Sequence, residues 1–167
     1  MKIACFITSV VLLLILNSFC VIQHYQFSIG CSGHLKRAAD ANTIQTAKVE
    51  LRTALAYMQT NGLTKGYVSI FLKQPKNDLG FWHTNLSQAL EELEIIPDNT
   101  TQLEKSNVLM KLRETILDDA ARGTVVTHPS FVSIHPHNAT IFFLSLALCV
   151  VCFVSGCMWW ADLCRSY

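Results

Sequence analysis

Two long runs without charged side chains lie near opposite ends of the sequence. Residues 3–22 and residues 139–161 contain no Asp, Glu, Lys or Arg. A helix of about 20 residues crosses the roughly 30 Å hydrocarbon layer of a bilayer, so each run is long enough to span it. The pattern predicts a two-pass integral membrane protein with transmembrane helices at residues 1–22 and 139–161.

The first run has an alternative interpretation as a cleaved signal peptide. Its apolar core is longer than the roughly 7–15 residues usual in such peptides, and only Lys2 supplies positive charge before it. The nearest pair of small residues, Ser28 and Gly30, follows the polar residues 23–26, which is the wrong distance for a signal peptidase. We therefore expect an uncleaved anchor.

The region between the two runs, residues 23–138, is polar and electrically balanced. It holds every charged residue except Lys2, Asp162 and Arg165, and its basic and acidic residues are equal in number. A balanced region offers no basic stripe, so nucleic acid is not expected as a partner. Two spans put both termini on one side of the membrane. We expect both termini, including the short tail 162–167, in the cytoplasm and the middle region outside it, in the periplasm or a lumen.

Helical signals dominate the middle region. Apolar residues recur at helical spacing from Leu35 to Met58, and a second helix is predicted from a cap at Asp78 to Ile96. A capping-box pattern at Thr101 opens a third, which is predicted to run to about Asp119. The predicted fold is mainly α, with two transmembrane helices flanking a small extracytoplasmic bundle of about three helices.

A minor β-ribbon is also predicted. Residues 67–73 are rich in β-branched and aromatic side chains, as are residues 124–127 and 131–134. In the second helix of the bundle, Leu79, Trp82, Leu86 and Leu93 share one face, which predicts that they form the core. The neighbouring His83 is expected to be exposed.

The second apolar run contains a stripe of small residues. Ser145, Cys149, Cys152 and Gly156 follow one another at steps of four, three and four. Such stripes allow membrane helices to approach closely, so we interpret this one as a helix-packing surface. The C-x-x-C spacing of Cys149 and Cys152 leaves thiol redox chemistry as a distant alternative, but apolar surroundings disfavour a reactive thiolate.

Two further hypotheses concern metal and disulfide chemistry. His135 and His137, two residues apart, form a candidate metal site if His24 supplies a third ligand. Cys31 is the one cysteine of the middle region and is a candidate for pairing with another chain.

Three segments of the middle region resemble a helical domain of uncharacterised bacterial envelope proteins. They read LKRAADANT, GFWHTNL and EKSNVLMKLRE at residues 35–43, 80–86 and 104–114. The resemblance extends over residues 35–118, about half of the chain, and implies no activity and no catalytic residue.

The sequence lacks the common catalytic motifs, including G-x-S-x-G, the P-loop, HExxH and the dinucleotide fingerprint. We therefore expect no enzyme activity and no cofactor. The predicted function is that of a non-catalytic accessory or scaffold subunit of a membrane protein complex, with the bilayer and other membrane subunits or further copies of this chain as partners. An extracytoplasmic sensory or ligand-binding module is the alternative, and a metal- or thiol-dependent membrane redox protein is a more distant one.

Overall fold

The structure, a computed structural model, describes residues 2–97, 99–120 and 123–165. Its helices are α1 (Lys2–Phe27), α2 (Gly33–Ala39), α3 (Ile44–Thr60), α4 (Leu79–Ile95), α5 (Gln102–Ile116) and α6 (Asn138–Arg165). One antiparallel pair of strands, β1 (Leu117–Ala120) and β2 (Gly123–Val126), follows α5. The protein is therefore mainly helical with a small two-stranded sheet.

The chain divides into two compact units. One contains Met1–His24 and Pro136–Tyr167, and the other is Tyr25–His135, which we call the helical domain. Two helices are long and apolar enough to span a membrane, one beginning at Ile3 and one covering Asn138–Asp162. Residues 166 and 167 of the predicted cytoplasmic tail lie outside the described residues.

The junction between α1 and α2 is a π-helical turn at Ser28–Ser32. Gly30 lies in this turn beside the ring of Tyr57, and a Cβ atom at Gly30 would lie only 2.4 Å from two ring carbons. The glycine therefore lets α3 pack closely against the junction. π-Helical turns are rare and occur mostly as single turns inside α-helices.

Side-chain caps fix the beginnings of the three helices that follow. The Thr43 hydroxyl accepts a hydrogen bond from the Thr46 backbone N–H, and the Asp78 carboxylate accepts from Gly80 and Phe81. Thr101 and Glu104 form a reciprocal capping box at α5. These caps satisfy backbone N–H groups that have no partner inside the helix.

The core of the helical domain lies between α2, α3, α4 and α5. α3 packs against α2 and α4, and α5 packs against α2. The largest fully buried side chains of this core include Phe27, Leu35, Leu51, Met58, Leu79, Leu86, Leu93 and Ile116. Leu79, Trp82, Leu86 and Leu93, the predicted core face of α4, are all buried.

The predicted β-structure needs correction in three places. Residues 67–73 form no strand, and only Tyr67 makes an isolated bridge, with Asp78. Residues 132–134 are a 3₁₀ turn. β2 pairs instead with Leu117–Ala120, a segment that was predicted to continue the preceding helix. The predicted first helix is also divided, because the chain turns at residues 40–43 between α2 and α3.

Candidate functional site

Phe6 of α1 contacts α6 at two positions. A Cβ atom at Gly156 would lie 3.3 Å from Cε2 of Phe6, so the absence of a side chain at Gly156 makes room for this ring. The Phe6 ring also stacks on Trp159, with 6.2 Å between ring centroids and 28° between planes. This contact joins the beginning of α1 to the last third of α6.

Two buried serines lie close to this contact in the sequence. Ser9 donates its hydroxyl hydrogen bond to the Phe6 carbonyl oxygen at 2.8 Å, and Ser155 donates to the Val151 carbonyl oxygen at 2.7 Å. Both hydroxyls are therefore satisfied within their own helices. Serine side chains are small and leave room for a neighbouring helix, and such residues are enriched where membrane helices approach closely.

The predicted small-residue stripe of α6 is only partly on the inward face. Ser145, Cys152 and Gly156 are half-buried, whereas Cys149 is exposed and Leu148 takes the inward position. The inward residues 141, 145, 148, 152 and 155 follow steps of four and three, the spacing of paired helices. Sequence reasoning missed Ser155 and the Phe6 partner, because the predicted stripe passes from Cys152 to Gly156 and not to Ser155.

The outward faces of α1 and α6 carry large exposed apolar side chains. On α1 these are Ile7, Leu14, Ile15 and Val21, and on α6 they are Phe143, Val150, Phe153 and Trp160. Only 6% of either apolar stretch is buried inside the protein. Contiguous apolar surface of this extent is typical of a face covered by lipid or by a partner.

None of the described cysteines forms a disulfide. All seven lie in the described residues and all are free, with Cys149 exposed and Cys152 half-buried. Cys31 is fully buried in the helical domain, so the hypothesis that it pairs with another chain is wrong for the folded domain.

The histidines of the candidate metal site are divided between the two units. His24 and His137 belong to the unit of the apolar helices, whereas His135 is the last residue of the helical domain. Among the described residues, no group of three or more His, Cys, Asp or Glu side chains is arranged to hold a metal ion. The three-histidine metal site therefore stays a prediction without structural support.

An aromatic cluster closes one end of the helical domain. The ring of Phe27, at the end of α1, lies 5.3 Å from that of His128 and 6.5 Å from that of Trp82, measured between centroids. The Trp82 indole Nε1–H donates a hydrogen bond to the Thr127 carbonyl oxygen at 3.0 Å. These contacts fasten the segment after β2 to both α1 and α4.

A buried carboxylate joins α2 to α3. Glu50 of α3 is buried, and its Oε2 pairs with Nδ1 of His34 at 2.6 Å. The Arg37 guanidinium binds the other carboxylate oxygen. A buried carboxylate without such partners is costly, so this arrangement explains why an acidic residue is tolerated against the core.

Clefts on the surface of the helical domain include two that are lined by residues of α5. One of about 240 Å³ lies between α4 and α5 and contains the ion pair of Lys111 with Glu92, whose Nζ–Oε2 distance is 2.7 Å. The other, of about 310 Å³, lies where the first residues of α3 meet those of α5 and Ile96. Ligand pockets usually enclose about 300–1,000 Å³, so both clefts are at or below the small end of that range.

No family model, curated protein or solved structure matches this chain. The segments that resemble the bacterial envelope domain lie in α2 and the following turn, in the first half of α4 and in α5. That resemblance stays a prediction.

Proposed function

We propose that the protein is a two-span membrane protein that works without catalysis, as an accessory or scaffold subunit of a membrane protein complex. In this proposal α1 and α6 cross the bilayer and the helical domain lies outside the cytoplasm. Partner subunits, or further copies of the same chain, bind the outward faces of the two apolar helices and the surface of the domain.

The observation that carries the proposal is the burial pattern of α6. Its inward residues are small or moderately sized, and Gly156 makes room for the Phe6 ring of α1, whereas Phe153 on the outward face is 74% exposed. A bilayer covers such a face with lipid tails, and van der Waals packing against a partner helix can replace them. Glu50, a buried carboxylate of the helical domain, is already paired with His34 and Arg37.

Gentle solubilisation tests the proposal. The full chain, tagged at one terminus, should resist extraction from membranes by alkaline carbonate. In mild non-ionic detergent it should then purify at a size well above that of one chain in a micelle. Phe153→Ala should reduce this size by weakening the outward contact, whereas Cys149→Ala, a small exposed position on the same helix, should leave it unchanged.

Two outcomes would contradict the proposal. Extraction by carbonate would show that the apolar helices do not span the membrane. A monodisperse single chain in every mild detergent, with Phe153→Ala indistinguishable from the unaltered protein, would remove the scaffold role.

A further inference from the structure

A surface loop of the helical domain, residues 69–76, is tied together at its base. The Val68 backbone N–H donates to the Asn77 carbonyl oxygen at 3.1 Å, and Tyr67 forms a bridge with Asp78. Val68 is buried and anchors the base in the core. The loop therefore projects from a fixed base.

The tip of this loop is apolar and is followed by lysines. Phe71 is 69% exposed and Leu72 is 65% exposed. Lys73 and Lys76 come next, and the Lys73 ammonium lies 5.8 Å from the centroid of the Tyr67 ring. The sequence has no acidic residue between Gly62 and Asp78. Exposed apolar and aromatic side chains flanked by Lys are typical of segments that lie in the headgroup zone of a membrane.

The base of the loop lies beside the exit of the chain from the domain. A Cβ atom at Gly66 would lie 3.2 Å from Nε2 of His135. Only residues 136 and 137 separate His135 from α6, so the covalent chain keeps His135 within roughly 11 Å of Asn138. The loop therefore begins near the point at which the domain is joined to the second apolar helix.

The chain enters the helical domain from α1 at the same end of the domain at which it leaves toward α6. Phe27, which follows the first apolar run, lies 6.3 Å from Tyr57 near the C-terminal end of α3. α3 has 17 residues and is about 25 Å long. Its opposite end lines a cleft together with Gln102, and the next residue, Leu103, is 72% exposed. Leu103 is therefore an exposed apolar side chain at the far end of α3 from the loop.

A second exposed aromatic residue lies close to the exit. Phe131 is 71% exposed and has a left-handed backbone conformation with φ of 61°. Bulky residues rarely adopt this conformation, and strain of this kind is often retained for function. Phe131 precedes His135 by four residues, on the segment that leads to α6.

We propose that the loop 69–76 inserts Phe71 and Leu72 into the lipid interface of the membrane that α1 and α6 cross, with Lys73 and Lys76 among the headgroups. The occupant of this apolar surface is the bilayer itself. The inference rests on the proposed function, because it needs the two apolar helices to be in the membrane.

Site-specific photo-cross-linking tests the inference on the full chain. Phe71→p-benzoylphenylalanine, Leu103→p-benzoylphenylalanine and Val150→p-benzoylphenylalanine are reconstituted separately in vesicles of phosphatidylcholine and phosphatidylglycerol, irradiated and analysed by mass spectrometry. All three positions are exposed, so the probe is tolerated. Val150 reports whether α6 is in lipid, and Leu103 reports the background at the far end of the domain.

The inference predicts lipid adducts at position 150 and at position 71, with several-fold fewer at position 103. Lipid adducts at position 150 without an excess at 71 over 103 would overturn the loop insertion while the two-span proposal stands. Protein adducts in place of lipid adducts at position 71 would overturn it too, in favour of a protein partner. If position 150 forms neither lipid adducts nor adducts to a second copy, and position 71 forms no lipid adducts, the proposed function and this inference are overturned together.

Discussion

Trp82 and Thr127 are joined by a hydrogen bond of 3.0 Å from the indole Nε1 to the backbone carbonyl oxygen. The two residues are far apart in the sequence, one in the first turn of α4 and the other directly after β2. The buried indole therefore holds the final segment of the helical domain against its core. Packing and hydrogen bonding at Trp82 are separable by substitution.

Trp82→Ala should cost about 3–5 kcal/mol of stability, as expected for removing a large buried aromatic side chain. Trp82→Phe retains most of the packing but removes the donor to Thr127, and should cost about 1–3 kcal/mol. Urea titration with pulse proteolysis of the full chain measures both values. Phe81→Ala is the matched control, since Phe81 is adjacent in sequence and exposed. Equal effects of Phe81→Ala and Trp82→Ala would refute a core role for Trp82.

Gly30→Ala should destabilise the helical domain by about 1–3 kcal/mol, the usual cost of forcing extra bulk into a packed contact. The reason is that the Cβ atom of an alanine at this position would lie 2.4 Å from two carbons of the Tyr57 ring. Combining it with Tyr57→Ala removes the clash, so the two changes together should cost less than the sum of the single changes. Strict additivity in the same proteolysis assay would show that the close approach at Gly30 is unimportant.

His83 should make the stability of the domain depend on pH. It is half-buried, contrary to the expectation of an exposed side chain, and its Nε2 is buried with no hydrogen-bond partner among the described residues. Desolvation by burial lowers the pKa of His83 from its usual 6.5. The unfolded chain therefore binds a proton more readily than the folded one, and stability should fall as the pH drops from about 7 to about 5.5.

Urea titrations at several pH values measure this dependence. His83→Gln removes the titrating group and should flatten the decline in that range. His24→Gln alters an exposed histidine of the other unit and is the control. An unchanged slope in His83→Gln would assign the pH dependence to other groups.

Gly156→Leu should weaken the packing of α6 on α1, because any side chain at this position meets the Phe6 ring. Cys149→Leu places the same side chain at an exposed position of the same helix and should be tolerated. Cys149→Ala combined with Cys152→Ala changes little bulk and should also be tolerated. The temperature at which the detergent-solubilised protein aggregates provides the measurement. Loss of stability in the double Ala variant, with Gly156→Leu silent, would favour a chemical role for the thiols.

Local signals made several elements of the fold predictable from the sequence. Asp78 and the Thr101 capping box mark the beginnings of α4 and α5 where the structure has them. The apolar face of α4 was predictable for the same reason, since helical spacing decides which side chains share a face. The charge-free runs likewise identified both long apolar helices.

Only one of the two strands was predictable: residues 124–127 were predicted as β-structure and nearly coincide with β2, but its partner was not identified. Residues 67–73 have strand-like composition but find no partner beyond the bridge at Tyr67, and remain a loop. Leu117–Ala120 reads as the end of a helix, yet it pairs with β2, whose first residue, Gly123, has a φ of 115°. β-propensity reflects such context more than any intrinsic preference.

The candidate site was predictable only in part for a similar reason. The stripe of α6 identified Gly156, Cys152 and Ser145, but a single helix does not reveal which neighbouring ring it accommodates. The contact between Gly156 and Phe6 could be identified only from the structure. The exposure of the side chains also differs from the predicted stripe, since Leu148 and not Cys149 lies inward.

Protease protection in sealed membranes tests the central claim, a helical domain held by two membrane spans, most directly. Different epitope tags mark the two termini, and protease is added to the side that exposes the domain. The account predicts cleavage within residues 23–138 while both tags remain protected, and loss of protection for both only after the membrane is opened. Cleavage of either tag together with the domain in sealed membranes would contradict the two-span account.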